Sequence, residues 1–175
     1  MRSRDLLPID NRVRRIRIDR GGLRRLVDRC LTDEGVEPGS GQGLVRCGDR
    51  LMRRLNRTRR GLDRTTDVLS FPSGDAVPGV GDPILGEVVI SIPRCRLQAR
   101  EQGVELGVEL VRLVVHGALH VLGYDHERAA DRARMVPRER VHRGWARRHG
   151  LGAGLCLVTA DRAGSRRSAG SGRSR

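Results

Sequence analysis

The sequence predicts a single domain in which short strands alternate with helices around one core. Three observations carry that expectation. The chain has 175 residues, enough to bury one core and short for two domains. Its apolar residues switch repeatedly between a period of two and a period near that of a helix. Two Gly- and Pro-rich stretches, 35–43 and 73–83, have compositions that allow little besides loop. The organisation reads as an N-terminal extension over 1–11, a domain over 12–150 and a flexible basic tail over 151–175, with no internal repeat.

In chain order, residues 12–19 alternate basic and branched side chains through Val13, Ile16 and Ile18, which predicts a half-exposed strand. Residues 22–33 place Leu23, Leu26, Val27 and Cys30 on one helical face. A short strand follows over 44–47, and Asp49 is positioned to cap a helix that turns Leu51, Met52 and Leu55 inward. Residues 67–71 form a strand ended by Pro72, and the apolar run over 85–91 predicts a central strand. One helix starts near Pro93, and an apolar one spans about 104–122. Residues 127–135 are helical in pattern, with Pro137 expected to break or restart the helix. Residues 161–175 carry five arginines and one aspartate without apolar periodicity and are expected to be disordered; as a function, a nonspecific phosphate tether stays open.

The chemistry lies at the end of the apolar helix, where His116, His120 and His126 stand in the pattern H-x-x-x-H-x-x-G-x-x-H. Helix positions i and i+4 share a face, so His116 and His120 can meet at one point. Gly123 can adopt the left-handed conformation that ends a helix, returning His126 as a third ligand. Three nitrogens leave a tetrahedral zinc one ligand short, the arrangement of a catalytic site rather than a closed structural one. Three imidazoles also suit nickel, copper or cobalt. Three of five histidines at ligand spacing argue against incidental placement; His142 and His149, set among arginines, read as solvent-exposed. Zinc peptidases with this spacing carry a glutamate after the first histidine as general base, and here that residue is Gly117.

Charge narrows the partner. The chain has 35 basic and 21 acidic residues, a net charge of +14, and every basic residue is arginine. Such a surplus points to a polyanion, with nucleic acid first and a membrane surface second. No apolar run is long enough to span a bilayer, and the first ten residues lack the apolar core of a signal peptide, so a cytoplasmic location is expected. Cys30, Cys47, Cys95 and Cys156 are scattered without a C-x-x-C pair and read as buried or inert thiols. With one Phe, one Tyr and one Trp, a nucleic-acid grip must rest on arginine and phosphate, with weak sequence preference and strong salt dependence.

Three blocks then carry a family resemblance. HGALHVLGYDH over 116–126, LNRTRRGLDRTTDVLSFP over 55–72 and LGEVVIS over 85–91 resemble signatures of the YbeY family, bacterial metal-dependent endoribonucleases of ribosome maturation, in that family's order. The resemblance implies an α+β fold, a small mixed sheet packed with helices, with the zinc site on a central helix and the turn after it. It implies one zinc ion per chain on His116, His120 and His126, and a functionally important arginine at Arg60, for which Arg59 is the neighbouring substitute. It also implies single-stranded RNA and the small ribosomal subunit as partners, with 3′-end maturation of 16S rRNA and ribosome quality control as the role, and neither DNA nor membrane. Two nucleophiles are open to such a site, zinc-bound hydroxide and the RNA 2′-hydroxyl. Departures fall outside the ligands: Arg59 stands for a common tyrosine, and Leu62 and Thr65 for a usual basic residue and proline.

Further residues have structural readings. Asp125 can orient a ligand histidine or cap the helix starting near Glu127, Tyr124 packs the turn, and Glu87 and Asp67 serve as structural hydrogen-bonding carboxylates. Two other functions compete with the nuclease. A noncatalytic RNA-binding assembly factor with a structural zinc requires a fourth protein ligand, for which Asp125 and Cys95 are the candidates. A metallopeptidase or other metallohydrolase must replace the missing glutamate at Gly117.

Overall fold

The computed structural model describes residues 16–36, 41–72, 85–152 and 156–158. Its elements run β1 (Ile16–Ile18), α1 (Arg20–Asp33), β2 (Gly43–Cys47), α2 (Asp49–Arg60), β3 (Val68–Pro72), β4 (Gly86–Ser91), α3 (Ile92–Glu101), α4 (Leu106–Val121), α5 (Ala129–Arg148) and β5 (Cys156–Val158).

The apolar run over 86–91 becomes the middle strand because only a strand covered on both faces tolerates such a run. Every residue of β4 is buried. β4 lies between β2 and β3 in the order β2-β4-β3, parallel to β2 and antiparallel to β3. Its alternation divides the interior into two layers. Val88 and Ile90 pack with α1, α3 and α4 in the main core, whereas Val89 packs with Val45, Leu69, Phe71, Met52 and Leu55 beneath α2. β1 and β5 pair antiparallel in a separate two-stranded sheet. The fold is therefore α+β with a small mixed sheet, as the sequence predicts.

Local chemistry sets the helix ends. Asp19 caps α1 by accepting from the Gly22 backbone N–H at 2.9 Å. Ser91 caps α3 by accepting from Arg94 N–H at 3.3 Å while its hydroxyl donates to Asp49 at 2.6 Å. Each such cap contributes about 1 kcal/mol. That bond corrects the role expected of Asp49: the N-cap of α2 is Gly48, and Asp49 sits in the first turn, holding α3 to α2.

Two more expectations change. α5 runs unbroken through Pro137. Met135 ahead of the proline is 1% exposed, and Glu139 and His142 beyond it bond to His116 and Glu34, so tertiary contacts on both sides offset the roughly 3 kcal/mol cost of an interior proline. His142 is not solvent-exposed: its side chain is 1% exposed and bonds Glu34 at 2.8 Å, while His149 is exposed and stacks on Trp145. Past residue 150, Leu151 lies in the main core and β5 follows. Cys30, Cys47 and Cys95 are buried and outside any disulfide among the described residues, and burial pushes Cys30 and Cys47 up to about 12, which leaves those two inert. The expected extension at 1–11, the loop at 73–83 and the tail at 161–175 lie outside the described residues.

Candidate metal centre

α4 is the central helix, burying Leu110, Leu113, Val114, Ala118 and Leu119. Its approach to the sheet depends on Gly117. A Cβ there would stand 2.5 Å from Val88 Cγ1, and the Gly117 carbonyl accepts the Ser70 hydroxyl at 3.0 Å. Position 117 therefore faces the sheet, and a glutamate could not reach the histidines from it. The helix ends in a Schellman motif: Gly123 N–H donates to His120 O at 3.0 Å and Tyr124 N–H to Leu119 O at 3.0 Å, with Gly123 at φ 85°. This reversal returns His126 to the helix end. Asp125 secures the turn by accepting from the backbone N–H of His126 at 2.7 Å and of Glu127 at 3.3 Å.

The three histidines are brought together. One candidate ligand atom from each of His116, His120 and His126 lies within 4.8 Å of the others, and the ring centroids are 4.6, 5.2 and 5.0 Å apart. Tetrahedral zinc with nitrogen ligands at about 2.0–2.1 Å sets those nitrogens roughly 3.4 Å apart, so small side-chain rotations close the shell. The donor set fits a metal chemically as well. Burial, then the nearby His116 and His126, holds the His120 imidazole below its ordinary range, favouring the neutral form that coordinates. Among the described residues no fourth His, Cys, Asp or Glu joins the cluster.

Glu139 of α5 completes the arrangement. Its Oε1 lies 2.8 Å from His116 Nδ1. The hydrogen bond from His116, acting against burial, holds the Glu139 carboxyl below the usual range, so an ionised acceptor fixes the proton on Nδ1 and leaves Nε2 for a metal. The sequence does not single Glu139 out. A metal-bound histidine calls for a carboxylate partner, but choosing among 21 acidic residues requires knowing how α5 crosses α4.

Arg60 does not share the histidines' immediate setting. It is exposed in the last turn of α2 and lines a polar groove of about 440 Å³ with Asn56, Arg64, Asp67, Arg94 and Gln98, none of them a ligand histidine. Arg112 links the two regions, reaching Asp67 at 3.5 Å and Gln98 at 3.4 Å from one turn before His116. Arg59 turns elsewhere, with its guanidinium 5.7 Å from the Phe71 ring centroid. Asp67 accepts from Gln98, Thr66 and the Val68 N–H, a structural role. Glu87 is fully buried beside Gly43 of the paired strand, where a Cβ would meet its Cγ at 2.9 Å. No described helix is long and apolar enough to cross a membrane.

A family model described as Endoribonuclease YbeY matches residues 8–143. A protein of Anaeromyxobacter sp. (strain Fw109-5) named Endoribonuclease YbeY is 53% identical over 92 residues, covering 53% of this chain and 47% of that protein. The chain thus spans about half the length of that relative. One of the same name from Moorella thermoacetica is 42% identical over 125 residues, covering 67% of this chain and 80% of the relative. A solution structure from Thermotoga maritima aligns with a TM-score of 0.49 at 22% identity, covering 83% of this chain and 91% of that one.

Proposed function

Since the chain belongs to the YbeY family, we propose that it is a zinc-dependent endoribonuclease that cuts single-stranded RNA in the cytoplasm, acting in 3′-end maturation of 16S rRNA and in quality control of the small ribosomal subunit. The observation that carries the activity is the histidine cluster: three imidazoles, one oriented by Glu139, with no fourth protein ligand among the described residues. His116, His120 and His126 would hold the ion. Bound there, zinc would supply Lewis acidity toward a phosphoryl oxygen and would make water acidic enough to yield hydroxide near neutral pH.

The chain's own residues do the rest. Glu139 keeps His116 in the tautomer that coordinates through Nε2. Arg60 takes the role of phosphate clamp, its planar guanidinium matching two nonbridging oxygens as they gain charge. Arg112, one helical turn before His116, reaches Asp67 and Gln98 in the lining of the groove that Arg60 also lines. The competing readings lose ground on specific atoms. A structural zinc would need a ligand that neither Asp125, turned to backbone N–H groups, nor buried Cys95 provides. A peptidase would need a base from elsewhere, because position 117, where the peptidase pattern carries its glutamate, is a glycine packed on Val88.

The test is cleavage of a labelled single-stranded RNA by zinc-loaded protein, beside His120→Ala and Arg60→Ala purified identically. Cutting by the parent that chelation stops, lost in His120→Ala together with bound metal and lost in Arg60→Ala with metal retained, is the expected result. Equal cutting by parent and His120→Ala identifies a contaminant and sinks the proposal. Undiminished cutting by Arg60→Ala removes that residue from the mechanism.

A further inference from the structure

A second polar cluster lies behind the ligands, centred on Glu34 at the C-terminal end of α1. Its side chain is 4% exposed, yet three donors from distant parts of the chain converge on it. Tyr124 Oη donates to Oε2 at 2.6 Å. His142 Nε2 lies 2.8 Å from Oε1. Arg138 Nε stands 2.9 Å from Oε1 and 3.1 Å from Oε2, and its guanidinium also donates to the Asp33 carbonyl at 3.2 Å. Burial alone would raise the Glu34 carboxyl, but the donors from Tyr124, His142 and Arg138 outweigh it and hold the group below the usual range.

The identity of the donors gives the cluster its meaning. Tyr124 belongs to the Schellman turn and precedes His126 by two residues. Arg138 and His142 bracket Glu139, the residue that orients His116. One carboxylate therefore grips both the turn that carries His126 and the α5 segment whose Glu139 orients the His116 ring. We infer that Glu34 is a positioning residue for the metal centre, anchoring the His126 turn through Tyr124 and the Glu139 segment of α5 through Arg138 and His142. This rests on the metal-site reading above.

A carboxylate that merely stabilised the fold would change melting without changing the ion's surroundings. Supports of metal ligands, by contrast, typically carry 10- to 100-fold in metal affinity. The probe is Co²⁺, whose visible absorption reports coordination geometry, titrated into the full-length parent, Tyr124→Phe, Glu34→Gln and His120→Ala, with melting of each metal-free protein measured alongside. Tyr124→Phe removes one hydroxyl and leaves the ring, so it decides the matter even if Glu34→Gln fails to fold.

Expected are a parent that binds Co²⁺, a His120→Ala that does not, and Tyr124→Phe and Glu34→Gln that bind about tenfold or more weakly with an altered visible spectrum. Parent-like affinity and spectrum in folded Tyr124→Phe, whatever its melting temperature, would overturn the positioning role alone. If the parent and His120→Ala take up Co²⁺ alike, the metal-site reading itself fails, and this inference with it.

Discussion

Gly117 shows how one missing side chain serves packing and narrows function together. Adding a methyl group places it 2.5 Å from Val88 Cγ1, inside the main core where neither helix nor sheet has room to yield. Gly117→Ala is expected to lose about 1–3 kcal/mol despite alanine's better helix propensity, read as a lower melting temperature of the metal-free protein. An unchanged or raised melting temperature would mean that the helix and strand are not in close contact. Asp67 gives a prediction in pH. Burial opposes its charge, but hydrogen bonds from Gln98, Thr66 and the Val68 N–H hold its carboxyl below the ordinary value of 3.8. The folded pKa lies below the unfolded one, so this stabilisation is present above about pH 4 and is lost as pH falls through the folded pKa. Asp67→Asn should flatten the acid limb of the melting profile while lowering stability near neutrality; an acid limb as steep as the parent's would contradict this. Among titratable residues, His142 was the least legible from sequence, because its arginine neighbours suggest solvent. Met135, Glu139, His142 and Ala146 nonetheless share a helix face, a signal hidden by the expectation that Pro137 interrupts the helix.

Among elements, α4 and α5 divide the work. α4 places His116 and His120 by helix geometry alone, which is why the sequence predicts that pair. α5 contributes Glu139 only because it packs against α4, which local pattern cannot reveal. Its proline sits between anchors, with Met135 buried on one side and His142 on the other. Pro137→Ala restores the missing N–H donor and relieves the ring's clash in the preceding turn. A gain of about 1–3 kcal/mol is expected in chemical denaturation, with the mutation otherwise silent in metal binding. Loss of stability would show instead that the proline's own packing holds α5. The strands follow a similar division. The central place of β4 is legible in its unbroken apolar run, whereas its parallel partner β2 and antiparallel partner β3 are not, because the same residues suit either direction.

For the molecule as a whole, an excess of arginine sets the expected behaviour toward RNA. With a net charge of +14 and few aromatic residues, RNA binding is expected to draw mainly on phosphate contacts and released counterions. The logarithm of the RNA binding constant should fall linearly with the logarithm of salt concentration, with a slope of about −0.7 per phosphate neutralised for a single strand. Arg60→Ala should lower the steepness by roughly one contact. A salt-independent affinity would shift the source of binding from charge to stacking or base recognition.

The sequence by itself determined the alternation of elements, the central apolar strand, the three histidines at ligand spacing with their helix-ending glycine, and the resemblance of three blocks to one family. These are short-range properties, written in periodicity, spacing and residue chemistry within about a dozen positions. Only the tertiary structure decided that Glu139 orients His116, that Glu34 gathers Tyr124, Arg138 and His142, that α5 passes through its proline, and that Gly117 belongs to the helix–sheet contact. Glu34 and His142 are 108 positions apart in the chain, and what brings them together is how the helices cross around the core, a property of packing that no local window contains.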